Sequence, residues 1–262
     1  MKCAITGFGG NLGSEFIKRY PLIEYIKFDG DLRDKKYLEK WILNNDFDYF
    51  LHFAALVPVN EVEKEYKKAK EINYQASLNL IKFLKKKNKS VWFFFSSSSH
   101  VYNFSNFKFK ETSKTIPISK YGNLKLMAEN KIKMMTKKTK IRICTGRIFS
   151  FTSYKQKKSY FIPGVFSGNV MYANTYRDFV DIRDICDAIY LLMKKKKKGI
   201  YNIASGSKIN LNNIINFIQK KKLIFKKPTN NIYADVTKLK SIGWRPKYNI
   251  KDILNEYKKK FK

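Results

Sequence analysis

The stretch Met1 to Gly13, MKCAITGFGGNLG, constrains this chain more than any other. Cys3, Ala4 and Ile5 form a short uncharged apolar run, the pattern of a strand buried in a parallel sheet. The run stops at Thr6-Gly7. Glycines recur at Gly7, Gly9, Gly10 and Gly13, and from Asn11 onward Leu12, Phe16 and Ile17 keep helical spacing. A strand that breaks on glycines into a helix N-terminus can hold a phosphate. Without Cβ atoms the backbone approaches a pyrophosphate closely, and free N–H groups with the helix dipole favour negative charge. The spacing G-x-x-G-x-x-G departs from the usual G-x-G-x-x-G. Its place, directly after an N-terminal strand and opening a helix, favours a dinucleotide-binding turn over an ordinary one.

A chain of 262 residues can bury a sizeable core, as one large domain or a domain plus a lobe. No run approaches the roughly 20 apolar residues of a membrane helix. The N-terminus enters a strand at once, so no signal peptide is expected. Cys3, Cys144 and Cys186 are far apart in apolar runs, which suits buried thiols in a reducing cytoplasm better than a disulfide frame or a metal site. The charge is unusual: 54 basic against 21 acidic residues, a formal +33. The excess is mostly lysine at Lys85 to Lys87, Lys194 to Lys198, Lys220 to Lys222 and Lys258 to Lys260. Apolar helical stretches precede these runs, where cations complement a helix C-terminus. Solvated faces are therefore favoured over a specific nucleic-acid partner, although non-specific adhesion to acidic polymers is expected.

Ile23 to Phe28 reads as a second strand with Asp29 at its end. An acidic residue about 20 positions beyond the glycines accepts from an adenosine ribose and repels a 2′-phosphate. NAD is thereby favoured, while Lys27 and Arg33 leave NADP open. A helix over Lys35 to Asn44, a strand over Tyr49 to Phe53, a long helix over Ala69 to Lys87 and a central strand over Val91 to Phe95 follow. Small residues Ala54 and Ala55 end the third strand, where a chain could pass close to a cofactor. The serines Ser96 to Ser99 stand at the C-terminal end of the central strand, where open α/β sheets bind ligands. A helix over Ser119 to Met135 carries Tyr121 and Lys125, and Ile141 to Ile148 is another strand. This alternation gives an α/β fold with a Rossmann-type, doubly wound parallel sheet over residues 1–150. Residues 151–262, with helices over Ile182 to Met193, Leu211 to Gln219 and Ile250 to Lys260, read as a small substrate-binding lobe with segments packing back on the sheet. Gly199 is the expected C′ stop of the first of these helices.

Tyr121 and Lys125 lie four apart on one helix face. A phenol is a poor acid–base group at neutral pH unless a cation favours its phenolate, and lysine one turn away supplies that cation. With Ser98 upstream and the glycine turn at the start, these residues resemble the extended short-chain dehydrogenase/reductase family, the NAD-dependent epimerase/dehydratase type that acts on nucleotide sugars. Thr6 to Gly13 matches its TGxxGxxG turn, Asp31-Leu32 its adenine-contacting pair, and His52-Phe53-Ala54-Ala55 its HLAA strand end. Asn73 stands where members carry a helix asparagine, and Phe95 to Tyr102 resembles FSSSxxVY. Arg177-Asp178-Phe179-Val180 with Asp184 resembles RDFVxVxD, while Tyr201-Asn202-Ile203 and Ile242 to Pro246 resemble the closing YNIG and LGWxP elements.

The resemblance implies Ser98, Tyr121 and Lys125 as catalytic residues. Gly7, Gly9, Gly10, Asn11, Leu12, Gly13, Asp29, Asp31, Leu32, Phe53, Ala54 and Ala55 would hold the cofactor together with Tyr121 and Lys125. Ser98, Ser99, His100, Ser150 and Arg177 would meet a nucleotide-diphosphate sugar, with Arg177 on its diphosphate. Tyr121 would exchange a proton with a substrate oxygen that Ser98 hydrogen-bonds, Lys125 would lower the tyrosine pKa, and hydride would pass to or from the nicotinamide. Dehydratases of the family place an Asp-Glu pair where Ser99-His100 stands, which disfavours elimination. Ketoreduction is then the expected reaction, with 4-epimerisation second, in a homodimer paired through the two long helices. Three departures stand out. Only about thirty residues separate Arg147 from Arg177, Ser150 replaces an asparagine, and Ser153-Tyr154 replaces Gly-Pro. The rivals are a non-catalytic RNA-binding protein on the same fold and a reductase of other carbonyl compounds.

Overall fold

A computed structural model describes residues 1–153, 155–173, 175–220 and 230–260; Tyr154, Lys221 and Lys222, singled out above, lie outside them. β1 (Lys2–Thr6) leads through the glycine turn to α1 (Asn11–Arg19), β2 (Glu24–Phe28), α2 (Lys35–Asn44) and β3 (Tyr49–His52). α3 (Val59–Lys64) and α4 (Tyr66–Lys70) precede a π-helical turn, Glu71–Gln75, that runs straight into α5 (Ala76–Lys87). β4 (Trp92–Ser98), a 3₁₀ turn at Ser99–Val101, α6 (Lys120–Thr136) and β5 (Arg142–Ile148) follow. Beyond them come β6 (Ser150–Thr152), α7 (Phe161–Phe166), β7 (Thr175–Arg177), β8 (Phe179–Asp181), α8 (Ile182–Lys194) and β9 (Gly199–Ile203). β10 (Ile209–Asn210), α9 (Leu211–Gln219), β11 (Asn230–Ile232), α10 (Thr237–Ser241) and α11 (Ile250–Lys260) close the described chain.

Six strands in the order β2-β1-β3-β4-β5-β9, parallel throughout, form the Rossmann-type sheet. Chain order reverses at β1, so a crevice opens at the C-terminal ends of β1 and β3. The uncharged strands are uncharged because both faces are covered. Phe93 and Phe95 pack with Leu38, Ile42, Leu80, Leu84 and Ile132 on one face; Trp92 and Phe94 pack with Phe16, Ile185, Ile189 and Leu192 on the other. β9 and α8 thus return to the sheet from beyond residue 150. Arg19 and Tyr20 of α1 bond to Asp187 of α8, and the Tyr20 and Tyr190 rings stack at 4.0 Å. Two small sheets, β10-β7-β11 and β6-β8, build the remainder.

Several boundaries differ from those expected. β4 does not stop at Phe95 but runs to Ser98, because β5 pairs with it residue for residue, Ser96 with Gly146, Ser97 with Arg147 and Ser98 with Ile148. The long helix begins at Tyr66 rather than Ala69 and changes pitch at the π turn. Gly199 is not the stop of α8. That helix ends at Lys194; Lys196 takes the left-handed conformation (φ 45°), and Lys197 N–H closes the turn on the Leu192 carbonyl. The Trp92 indole donates to the Lys197 carbonyl at 2.7 Å and holds this lysine turn to the sheet, leaving Gly199 to open β9. Cys3, Cys144 and Cys186 are free and buried. No helix among the described residues is long and apolar enough to cross a membrane.

Gly146 sits where a Cβ would meet the Phe94 ring at 2.5 Å and Ile203 at 2.8 Å. Overpacking of this kind costs about 1–3 kcal/mol. Gly146→Ala should therefore lower the urea midpoint with an unchanged m-value.

Candidate active site

The glycine turn is shaped by close approach. Gly7 is left-handed (φ +72°), and a Cβ there would stand 2.5 Å from the Ala54 nitrogen, so β3 can pass only against a bare backbone. A Cβ on Gly13 would collide with the Gly7 carbonyl, whereas Gly9 is open. Gly10 N–H bonds to the Gly7 carbonyl at 3.1 Å and Ser14 N–H to the Gly10 carbonyl at 3.0 Å. The amides of Asn11, Leu12 and Gly13 precede that first intrahelical bond. α1 has no side-chain cap and no acidic residue in its first turn, so its N-terminus keeps free donors for an anion.

Beside the turn lies a cleft of about 400 Å³ lined by Thr6 to Gly9, Phe28 to Leu32, Ala54 to Leu56 and Ile72. Asp29 and Asp31 both reach it, but with different company. Asp31 is paired with Arg33 (Nη2 at 2.5 Å), which holds its carboxyl below the ordinary range, while Asp29 only accepts from the Tyr37 hydroxyl at 3.0 Å. Lys27 sits over the Phe8 ring at 5.7 Å. Both cations that leave NADP open thus stand beside residues of the cleft, Arg33 on Asp31 and Lys27 over Phe8. Phe53 differs from its neighbours Ala54 and Ala55. Its ring packs on Phe16 (5.8 Å) and Phe94 (6.0 Å), half-buried against the core, and it is not among the residues lining the cleft. Asn73 clamps the loop between, bonding both the N–H and the carbonyl of Leu56 at 2.8 Å. His52 is structural, buried between Thr6 Oγ1 (2.7 Å) and Ser77 Oγ (2.9 Å) and pushed down to about 3 by burial.

At the C-terminal end of β4 the structure brings Ser98, Tyr121 and Lys125 together. Gly122 makes this fit possible, since a Cβ there would strike the His100 carbonyl. Ser119 caps α6 by accepting from Gly122 N–H at 3.1 Å. Burial raises the Tyr121 phenol, and its hydrogen bond with Ser98 is what opposes the rise. The lysine was expected to lower that phenol. Instead Lys125, 1% exposed, donates to the Ser96 carbonyl at 2.8 Å with its Nζ 5.8 Å from the Tyr121 ring centre. Burial pushes its own amine down to about 7, against a raising pull from Glu129. Desolvation outweighs the attraction between the two groups.

His100 bonds to Ser119 Oγ through Nδ1 at 3.1 Å and meets the Tyr121 ring edge-on at 5.8 Å. Burial, and then the Arg177 charge, push it down to about 4, so it is neutral at pH 7. Arg177 is not paired with Asp178 or Asp184. Its Nη1 bonds to Thr175 Oγ1 and the Tyr176 carbonyl, its guanidinium covers Phe104 at 5.5 Å, and burial pushes it down to about 10. Asp178 is spent instead on Ser205 N–H (2.8 Å) and Oγ (2.6 Å), Gly206 N–H (3.0 Å) and Ala234 N–H (3.2 Å). Asp184 accepts from the Lys247 and Tyr248 amides. Ser99 is buried in the 3₁₀ turn, and Ser150 opens β6 opposite Phe179. Sequence reasoning missed Tyr160, the residue preceding α7, whose phenol lies within electrostatic reach of Tyr121. One of 17 tyrosines in a loop carries no signal of its own.

Comparison with known proteins places this geometry. The sequence model of the GDP-mannose 4,6 dehydratase family matches residues 14–227, beginning just past the glycine turn. A Methanocaldococcus jannaschii protein provisionally named UDP-glucose 4-epimerase is 27% identical, over 88% of this chain and 82% of its own length. The UDP-glucose 4-epimerase of Mycoplasma genitalium is 26% identical, over 78% and 69%. Among solved structures, Thermus thermophilus UDP-glucose 4-epimerase in complex with NAD superposes with a TM-score of 0.88 at 19% identity, covering 100% of this chain and 99% of that one. The Thermotoga maritima UDP-glucose 4-epimerase with UDP-glucose gives 0.86 at 20%, covering 100% of both.

The buried amine at Lys125 predicts a pH signature. Its pKa falls from an ordinary 10.5 to about 7 on folding, so between these values the unfolded chain holds a proton that the folded chain has released. Stability from this group is present above the upper value and is lost as pH falls through the lower one. Thermal melts of Lys125→Met should show a shallower rise in Tm from about pH 7 to 10 than the wild type.

Proposed function

The chain belongs to the extended short-chain dehydrogenase/reductase family of nucleotide-sugar epimerases and dehydratases, and on that premise we propose that it is an NAD-dependent 4-epimerase of a UDP-sugar. The observation that carries the reading is Arg177. A half-buried guanidinium whose hydrogen-bond partners among the described residues are carbonyls and a hydroxyl, close enough to His100 to depress it, is a cation suited to an anion at the catalytic end of the sheet. A substrate diphosphate supplies one. Ser99-His100 at the turn offers no carboxylic acid for elimination, which sets the reading apart from the dehydratases.

The residues fit a dinucleotide. Gly7 and Gly13 let the turn close tightly on Ala54 and on its own carbonyl, Gly9 leaves open space beside it, the first amides of α1 keep free donors for a pyrophosphate, and Asp29 suits a ribose diol and repels a 2′-phosphate. NAD, when bound, supplies reversible hydride acceptance. The chain supplies the rest. Tyr121 Oη would exchange a proton with the sugar oxygen, acting as base only from its phenolate, Ser98 Oγ would hold that oxygen, and the Lys125 ammonium would donate to the ribose. Neutral His100, beside Tyr121, donates or accepts at a sugar hydroxyl without adding charge. Homodimerisation through α5 and α6 belongs to the same reading.

The ketoreductase expected from the sequence gives way to the epimerase because the curated relatives are named as 4-epimerases. The RNA-binding rival called for a basic patch across the cofactor cleft, and the lining there carries Asp29 and Asp31 with no lysine or arginine. Incubation with UDP-glucose should yield UDP-galactose with no net change in NADH. Stoichiometric NADH consumption with a 4-keto sugar nucleotide, and no interconversion, would return the reaction to reduction. Arg177→Met should lower kcat/KM for the UDP-sugar roughly 10- to 100-fold while leaving NAD affinity unchanged.

A further inference from the structure

Behind the catalytic pair a dry polar seam joins α6 to the sheet. Tyr121, Lys125 and Glu129 repeat at four-residue spacing on one helical face, and three consecutive serines of β4 meet that face. The Ser98 hydroxyl lies close enough to the Tyr121 phenol to favour its ionised form, the Ser96 carbonyl accepts from Lys125 at 2.8 Å, and Ser97 Oγ donates to Glu129. Arg147 of β5 forks onto the same carboxylate through Nε (3.1 Å) and Nη2 (2.7 Å). Its Nη1 reaches the Tyr102 hydroxyl at 2.8 Å, which donates in turn to Asn202 Oδ1 at 2.8 Å. Glu129 and Arg147 are 6% and 3% exposed.

A buried ion pair is weak as a source of stability, because desolvating both charges cancels most of their attraction. What this pair does supply is a fixed negative charge one helical turn from an amine that burial would otherwise strip of its proton. The groups facing Lys125 are few: Tyr121 and Glu129 on its own helix, the Phe95 ring at 5.0 Å on β4, and on β3 the neutral His52, itself depressed in part by the lysine. Among them Glu129 is the one that favours the ammonium.

We propose that Glu129, held by Ser97 and Arg147, is a positioning residue for Lys125, its carboxylate favouring the ammonium form of that amine and fixing the height of the helix face that carries Tyr121. The inference rests on the functional reading above, in which the ammonium serves the cofactor ribose. NADH affinity, read by fluorescence, and the epimerisation rate are measured from about pH 5 to 9. The wild type should lose both on the alkaline side as Lys125 deprotonates. Glu129→Gln alone strands Arg147 as a buried charge, so the informative variant is Glu129→Gln/Arg147→Met, which replaces the pair by neutral groups. Its limb should move acid by about one pH unit or more. Glu129→Asp keeps the pair with Arg147 but draws the carboxylate back, and should move the limb acid by less; it carries the test if the double variant does not fold. Limbs that superimpose on the wild type, or a wild type with no limb in this window, would overturn the proposal. A wild type that binds no NADH and interconverts no UDP-sugar would instead remove the functional reading beneath it.

Discussion

The structure turns on an ionisable amine buried away from the protein surface. Lys125 sits 1% exposed against the carbonyl of Ser96, and much of the surrounding architecture follows from holding it there. β4 must stay extended through three serines for that carbonyl to point at α6, and it can because β5 runs beside it to Ile148. β5 can lie so close because Gly146 leaves room for the Phe94 ring. α6 can start directly over the 3₁₀ turn because Gly122 meets the His100 backbone without a side chain. Two glycines outside the phosphate turn thus matter to the catalytic geometry as much as those within it.

What could be read in the sequence was whatever depends on residues near one another in the chain. The glycine turn, the β4 serines and the Tyr121–Lys125 spacing are local patterns, and the structure gathers Ser98, Tyr121 and Lys125 where those patterns suggested. Strand ends were less legible. The length of β4 is set by pairing with β5 some fifty residues on, and its polar tail mimics a loop. Glycine is the usual left-handed residue, so Gly199 signals a helix stop, whereas Trp92, far upstream, anchors a lysine turn that ends α8 earlier. Phe53 adjoins Ala54 and Ala55 in sequence, yet its ring turns toward the core.

The electrostatic balance was the least legible of all. A lysine one turn from a tyrosine suggests a lowered phenol pKa, yet the outcome depends on how dry both groups are, and burial is a property of the assembled sheet. The same holds for Arg147 and Glu129, separated by 18 residues and joined only when α6 lies down beside β5. Tyr160 belongs with them, since its approach to Tyr121 depends on how the segment after β6 folds back.

Asp178 has a consequence of a different kind. Its carboxylate gathers donors from the turn just past β9 and from Ala234 in the stretch between β11 and α10, and the residue before it is Arg177. The Arg177 guanidinium is therefore carried by the rim of the sheet while Tyr121 is carried by α6, and His100 lies between them, its charge state set in part by Arg177 and its ring edge-on to Tyr121. A shift in the small sheets that moved Arg177 would reach Tyr121 through that imidazole.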